Sequence, residues 1–146
     1  MDIEKLKKFE KLPPDVKRQL ALYMAKWKDK KNQTDIKGDF MSFVKHVWPD
    51  FIEGSHHKQV AQKFNEIANG KTKRVIINMA PRHTKSEFAS YLLPAWMVGR
   101  NPKLKIIQST NTTELSVRFG RKAKALMDTP EYKEIFETRL KEDSQA

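Results

Sequence analysis

Residues 77–87 read INMAPRHTKSE, and in this stretch the side chains and their spacing suit the chemistry of a triphosphate. Lys85 followed by Ser86 is how a phosphate-cradling loop of the form GxxxxGK[ST] ends. In such a loop, backbone N–H groups surround the phosphates, the lysine reaches the β- and γ-phosphates, and the hydroxyl ligates Mg²⁺. The two positions usually given to glycine, six residues and one residue before the lysine, hold Met79 and Thr84. A plainer alternative explains part of the stretch, because Thr84-x-x-Glu87 is also a capping box at the start of a helix. That alternative leaves the charge unexplained. Arg82, His83 and Lys85 crowd the positive end of the helix dipole, where each cation costs from a few tenths to about 1 kcal/mol and a bound anion would reverse the sign. His83 has no second ligand at metal-site spacing and reads as an exposed loop residue.

The elements that must position this loop follow from periodicity. KRVIINM (73–79) and LKIIQST (104–110) are short β-branched runs with charged flanks, which predict two strands. Between them, Ser86 to Val98 has helical character and ends at Gly99 and Asn101-Pro102, with Pro94 placed to kink or split the helix. Strand, loop, helix and strand at this spacing predict a parallel βαβ unit, with the loop beyond the carboxyl end of the first strand, where ligands of open sheets bind. Asn111 and Glu114 predict a capping box for a helix through Met127, with Leu115, Phe119, Leu126 and Met127 inward. Pro130-Glu131 opens a last short helix.

Upstream, Pro13-Pro14-Asp15 starts a helix over 14–30 carrying the stripe Val16, Leu20, Tyr23, Met24 and Trp27. KDKKNQTDIKG (28–38) is polar and lacks apolar periodicity, which suggests a linker. Phe40, Phe43, Val44 and Val47 form a second stripe stopped by Trp48-Pro49. Val60, Ala61, Phe64, Ile67 and Ala68 form a third, closed by Gly70 as a left-handed cap. Trp27, Trp48 and Trp96 lie on or at the ends of apolar stripes and read as core rather than base-stacking platforms.

The formal net charge of +11 is concentrated: residues 71–127 hold twelve Lys/Arg against two acids, Glu87 and Glu114, and residues 128–146 hold three against six. A basic block suits a polyanion or a solvated face, and Arg118, Arg121, Lys122 and Lys124 are candidate contacts to DNA phosphates. No apolar run approaches the length of a membrane span, which is about 20 residues, and MDIEKLKKFEK at the amino terminus lacks the core of a signal peptide. There is no cysteine, so disulfide staples and thiolate metal sites are excluded. A cytosolic protein is expected.

Three segments, GSHHKQVAQKFNEIANG, RVIINMAPRHTKSEFASYLLPAWMVGRNPKLKIIQST and FGRKAKALMDTPEYKEIF, together resemble the ATPase domain of the large terminase subunit of tailed bacteriophages. That family's phosphate loop commonly reads like PPRHGKSE, followed by a helix ending near a Trp and a Gly-Arg-Asn-Pro turn. The resemblance covers roughly residues 40–146. It implies an α/β fold: an α-helical region over 1–38, then over 39–146 the first half of a P-loop NTPase domain with a parallel βαβ core. It further implies ATP and Mg²⁺ as cofactors, ATP-driven translocation of double-stranded DNA into a procapsid, and a place in the host cytoplasm. The implied partners are the portal protein and the small terminase subunit, with homo-oligomerisation of the full-length subunit and no membrane.

By matching position, Ala80, Pro81, Arg82, His83, Thr84, Lys85 and Ser86 would form the nucleotide loop. Lys85 would bind the β- and γ-phosphates, Ser86 would hold Mg²⁺, Arg82 would sense or neutralise the γ-phosphate, and His56 would lie by the adenine. His56 and His57 equally suit solvated positions at a helix start. Two departures qualify the match. Thr84 stands where the family has glycine, and the sequence to Ala146 contains no Walker B strand ending in acids and no ribonuclease-H-like nuclease domain. Glu131, Glu134, Glu137, Glu142 and Asp143 lie in polar helical sequence and do not substitute for those acids. Weak or absent hydrolysis by this chain alone is expected, together with exposed strand edges. Two other functions remain open: a non-catalytic module that uses its basic region to hold DNA or a partner, and a fragment of a P-loop helicase.

Overall fold

The computed structural model describes residues 13–139. The amino-terminal MDIEKLKKFEK and the acids Glu142 and Asp143 lie outside them. The chain divides into two units between Thr34 and Asp35. From Pro14 on, the described residues of the first unit lie in helix α1 (Pro14–Gly38), whose last four residues belong to the second; the helix has Pro14 in its first turn, Asp15 near the positive dipole end and Lys37 near the negative one. The helix expected over 14–30 therefore runs on through the segment read as a linker. Lys, Gln, Ala, Leu and Met are strong helix formers, and their propensity carries α1. Burial contributes little, since no α1 residue is buried; Tyr23 is 68% and Trp27 59% exposed, so Trp27 is not a core residue.

The second unit is an assembly of helices: α2 (Phe40–Val47), α3 (Ser55–Ala68), α4 (Lys85–Glu87), a π-helical turn (Phe88–Leu92), α5 (Leu93–Arg100), α6 (Thr113–Asp128) and α7 (Pro130–Ile135). Among the described residues there is no β-strand, so the expected α/β class and its parallel βαβ P-loop core are replaced by an all-helical fold. Residues 75–79 have the alternation of a strand, whereas Lys105, Ile106 and Ile107 are exposed in succession. Val75, Ile77 and Met79 are half-buried, whereas Ile76 is 91% exposed; in the other run Ile107 is 96% exposed. No hydrogen-bond ladder joins the two runs. The β-propensity of Val and Ile reflects packing against neighbouring strands more than a backbone preference. Without those neighbours the two runs form no ladder; Ile77 of the first packs against the helical core, and the Leu104 N–H of the second turns back to the Asn101 carbonyl.

The core is aromatic. Phe40 is fully buried, and its ring packs edge-on against Phe64 of α3, Phe88 of the π turn and Trp96 of α5, with centroid separations of 5.1, 5.4 and 5.4 Å. Polar groups fix its position. Asp39, the N-cap of α2, accepts from the Ser42 N–H at 2.8 Å and the Ser42 hydroxyl at 2.9 Å. Asn65 of α3 donates to Asp39 at 2.7 Å and accepts from the Phe40 N–H at 2.8 Å, joining α2 to α3. Burial alone would raise the Asp39 pKa. The hydrogen bonds from Ser42, Asn65 and the Met41 backbone outweigh it and hold the carboxyl below its usual value.

Helix α3 ends in a Schellman motif: Gly70, at φ 72°, donates to the Ile67 carbonyl, and the Lys71 N–H donates to that of Glu66. Pro94 interrupts the regular pattern as expected, since its ring would clash with the carbonyl four residues back. The chain responds by widening over Phe88–Leu92, where the Leu93 N–H bonds the Phe88 carbonyl. Gly99 lies inside α5 and does not end it. A Cβ there would sit 2.6 Å from two ring carbons of Phe136 and 2.7 Å from the Tyr132 hydroxyl, which donates to the Ala95 carbonyl. On α6 the N-cap is Thr112, whose hydroxyl accepts from the Leu115 N–H at 3.3 Å, in place of the expected Asn111. Among the described residues no helix is long and apolar enough to cross a membrane.

Two outcomes are expected in thermal or urea unfolding. Gly99→Ala overpacks the α5–α7 contact and lowers stability by about 1–3 kcal/mol. Asp39→Ala removes the α2 cap and costs about 0.5–2 kcal/mol. The Asp39 contribution is complete above the unfolded carboxylate pKa of about 3.9 and is lost as pH falls through the lower folded value, so the two proteins converge in stability at acid pH.

Candidate functional site

The loop between Met79 and Lys85 is held in an uncommon backbone conformation. Arg82 has φ 64° and Thr84 φ 55°, the only non-glycine residues with positive φ among those described. Left-handed backbone costs an L-residue about 1–2 kcal/mol, and a β-branched residue such as Thr84 is especially unsuited to it. The glycine-like angle that the sequence puts in question is therefore adopted by a threonine. Next comes Lys85, the first residue of α4.

The capping-box alternative does not form. Thr84 sits at the N-cap position, but its side chain makes no capping bond, and its backbone is left-handed where a capping residue is usually extended. Its hydroxyl lies 2.7 Å from His57 Nε2 and donates to the His83 carbonyl, also at 2.7 Å. The His83 Nδ1–H reaches back to the Pro81 carbonyl at 2.9 Å. Lys85 curls over the loop, its Nζ 3.4 Å from the Met79 carbonyl oxygen. Ala80, Pro81, Arg82, His83, Lys85 and Ser86 are exposed and Thr84 is half-buried.

The loop's positive charge is not cancelled by its nearest acid. Both carboxylate oxygens of Glu87 accept from Lys122 Nζ of α6 at 3.0 Å, and the same ammonium lies over the Tyr91 ring. This pair is partly exposed, so it positions α6 against the loop helix more than it stabilises the fold. Burial first, then the Glu87 charge, raises the Tyr91 phenol to about 12. Of the four cations on α6 proposed to touch DNA, Arg118 and Arg121 are exposed, Lys124 is half-buried, and Lys122 is committed to Glu87.

His56 is half-buried and its ring lies against His57 at a tilt of 48°, with centroids 3.8 Å apart, while His83 makes an edge contact with it at 5.4 Å. The buried His56 Nε2 has no hydrogen-bond partner. The imidazoles of α3 thus meet the loop, and His56 is not a freely solvated residue. Beside it runs a groove of about 520 Å³ between α3 and residues 75–79, lined by His56, Gln59, Gln62, Asn78 and Met79 among others. Among the described residues no group of three His, Asp or Glu side chains could hold a metal ion.

His57, read from the sequence as equally suited to a solvated position at a helix start, is instead buried. It is 7% exposed and occupies the third position of α3, where its Nδ1 accepts from the Gly54 N–H at 2.9 Å. That is the reach-back which Glu or Gln makes in a capping box. The available signal was a histidine three residues after Gly54. Its second nitrogen, which meets Thr84, could be located only by the fold. No family model matches the chain, and no curated protein and no solved structure matches it either.

Because Arg82 is exposed and left-handed, Arg82→Gly should relieve backbone strain and raise stability by about 1 kcal/mol, whereas Arg82→Ala should bring no gain. Equilibrium unfolding in urea separates the two, and equal stability of both variants would rule out strain at this position.

Proposed function

We propose that the segment Ala80–Ser86 binds the triphosphate of ATP together with Mg²⁺. We further propose that the chain is the nucleotide-binding amino-terminal part of a viral DNA-packaging motor like the large terminase subunit of tailed bacteriophages. The observation that carries the proposal is the left-handed backbone at Arg82 and Thr84, immediately before a Lys-Ser pair that opens a helix. Two strained residues in one short exposed loop are costly for folding alone, and such outliers cluster at ligand clamps. The loop's cations point the same way, since the neighbouring carboxylate is already paired with Lys122. The assignment depends on this loop, not on a sheet.

The residues then divide the work by chemistry. Loop N–H groups and the Lys85 ammonium hold β- and γ-phosphate oxygens, Arg82 takes γ-phosphate charge, and the Ser86 hydroxyl is the ligand this loop offers to Mg²⁺. The ion supplies neutralisation of phosphate charge when bound. The groove beside His56 has a volume typical of small-ligand sites, and its glutamine and asparagine amides suit the edge of an adenine. Glu87 is engaged by Lys122 and is not available to orient an attacking water, so this chain binds and positions ATP, and hydrolysis needs acids from elsewhere in the motor. Double-stranded DNA would meet Arg118 and Arg121 through its phosphates. The portal protein, the small terminase subunit and further copies of the subunit are the proposed partners, in the host cytoplasm.

The experiment is titration with MgATP, followed by calorimetry and by the amide signals of Arg82–Ser86. Lys85→Ala should weaken binding about 10- to 100-fold, the range for losing charge-assisted hydrogen bonds. DNA binding by the same variant should persist. If Lys85→Ala binds MgATP as the parent does, or the loop amides do not move, the chain is instead a basic module that holds DNA or a partner.

A further inference from the structure

We propose that His57 is a positioning residue of the nucleotide loop: through its bond to Thr84 Oγ1 it locks Thr84 in the left-handed conformation that glycine supplies in loops of this kind. This role rests on the phosphate-loop assignment of the same residues. A chain of hydrogen bonds with a fixed direction carries it. The Gly54 N–H can only donate, so His57 Nδ1 is the unprotonated nitrogen and Nε2 bears the proton. Nε2–H therefore donates to Thr84 Oγ1, and the hydroxyl donates onward to the His83 carbonyl, which can only accept. Each link has one possible sense. The hydroxyl is thereby fixed at both sides, and with it the χ1 of Thr84 and the backbone that bears it.

The ring itself has little freedom. Phe51 lies 4.8 Å from its centroid, Phe88 5.3 Å and His56 3.8 Å. Phe88 directly follows α4, so the imidazole is braced on the helix that the loop enters as well as bonded to the loop. The neutral form is the one required, because an imidazolium would have no acceptor for Gly54. Burial, then the neighbouring His56 and His83, keep the His57 pKa below its ordinary value against the opposing pull of Glu53. Thr84 and His57 thus form a matched pair: the threonine departs from the glycine pattern, and the histidine compensates for it.

The test is a double-mutant cycle on the full chain, with MgATP as the probe and the backbone chemical shifts of residue 84 as an independent reporter of its conformation. His57→Ala and Thr84→Val, which keeps the shape but not the hydroxyl, should each weaken MgATP binding about 5- to 30-fold, the factor set by the left-handed cost. Thr84→Ser should stay within about threefold of the parent. Thr84→Gly should bind at least as tightly as the parent, and His57→Ala on the Thr84→Gly background should cost less than about threefold. If His57→Ala does not fold, Thr84→Val carries the comparison, since it leaves the ring's packing intact. An equal loss from His57→Ala on both backgrounds, or left-handed shifts at Thr84 that survive His57→Ala and Thr84→Val, overturns the lock. Failure of the parent to bind MgATP overturns the nucleotide assignment instead, and the shifts at residue 84 still decide the lock.

Discussion

A single buried ring joins four segments of the second unit. Phe40 has no exposed surface and meets one aromatic side chain from each of three other segments, so α3, the π turn and α5 are placed relative to α2 through it. Edge-on aromatic pairs of this kind add about 0.5–1.5 kcal/mol each beyond the area they bury. Phe88, one of the three partners, comes three residues after Lys85. The loop therefore leaves a fixed point in the core. The Asp39–Asn65 bonds secure the same ring from its backbone, which makes the polar joint between α2 and α3 part of one support.

Helices were legible wherever an apolar stripe found something to cover. The stripe from Phe40 to Val47 gave α2, the one from Val60 to Ala68 gave α3, and Gly70 marked the end of α3 and Pro130 the start of α7, as their backbone preferences require. The strands were not legible as absent. Local sequence registers a preference for extended backbone at 73–79 and 104–110, but a sheet needs partners in register, which no single segment encodes. Trp27 failed for a related reason: a stripe at helical spacing predicts a face, and only the surrounding chain decides whether that face is covered.

The loop itself was half legible. Lys85, Ser86 and the crowding of cations stood out because residue type and order carry that information. What stayed hidden was relational. Glu87 pairs with Lys122, 35 positions away, and Thr84 pairs with His57, 27 positions away. The first contact removes a cation from the proposed DNA face and an acid from the loop's charge balance. The second gives the Thr84 hydroxyl a partner in His57 in place of the cap that the sequence also suggested. Strain at Arg82 and Thr84 and an unneutralised positive charge are both unfavourable for an empty loop, and an anion would offset them together.

The π turn over Phe88–Leu92 has one more consequence. In an α-helix each residue advances the azimuth by about 100°. A turn that accommodates one extra residue uncouples the angular phase of the residues before it from that of the residues after it. Lys85 and Ser86 can thus point where the loop requires while Ala95 and Trp96 face the aromatic core, with neither direction dictated by the other. Deleting one residue within the turn would restore regular winding but swing the loop's side chains a quarter turn or more around the helix axis.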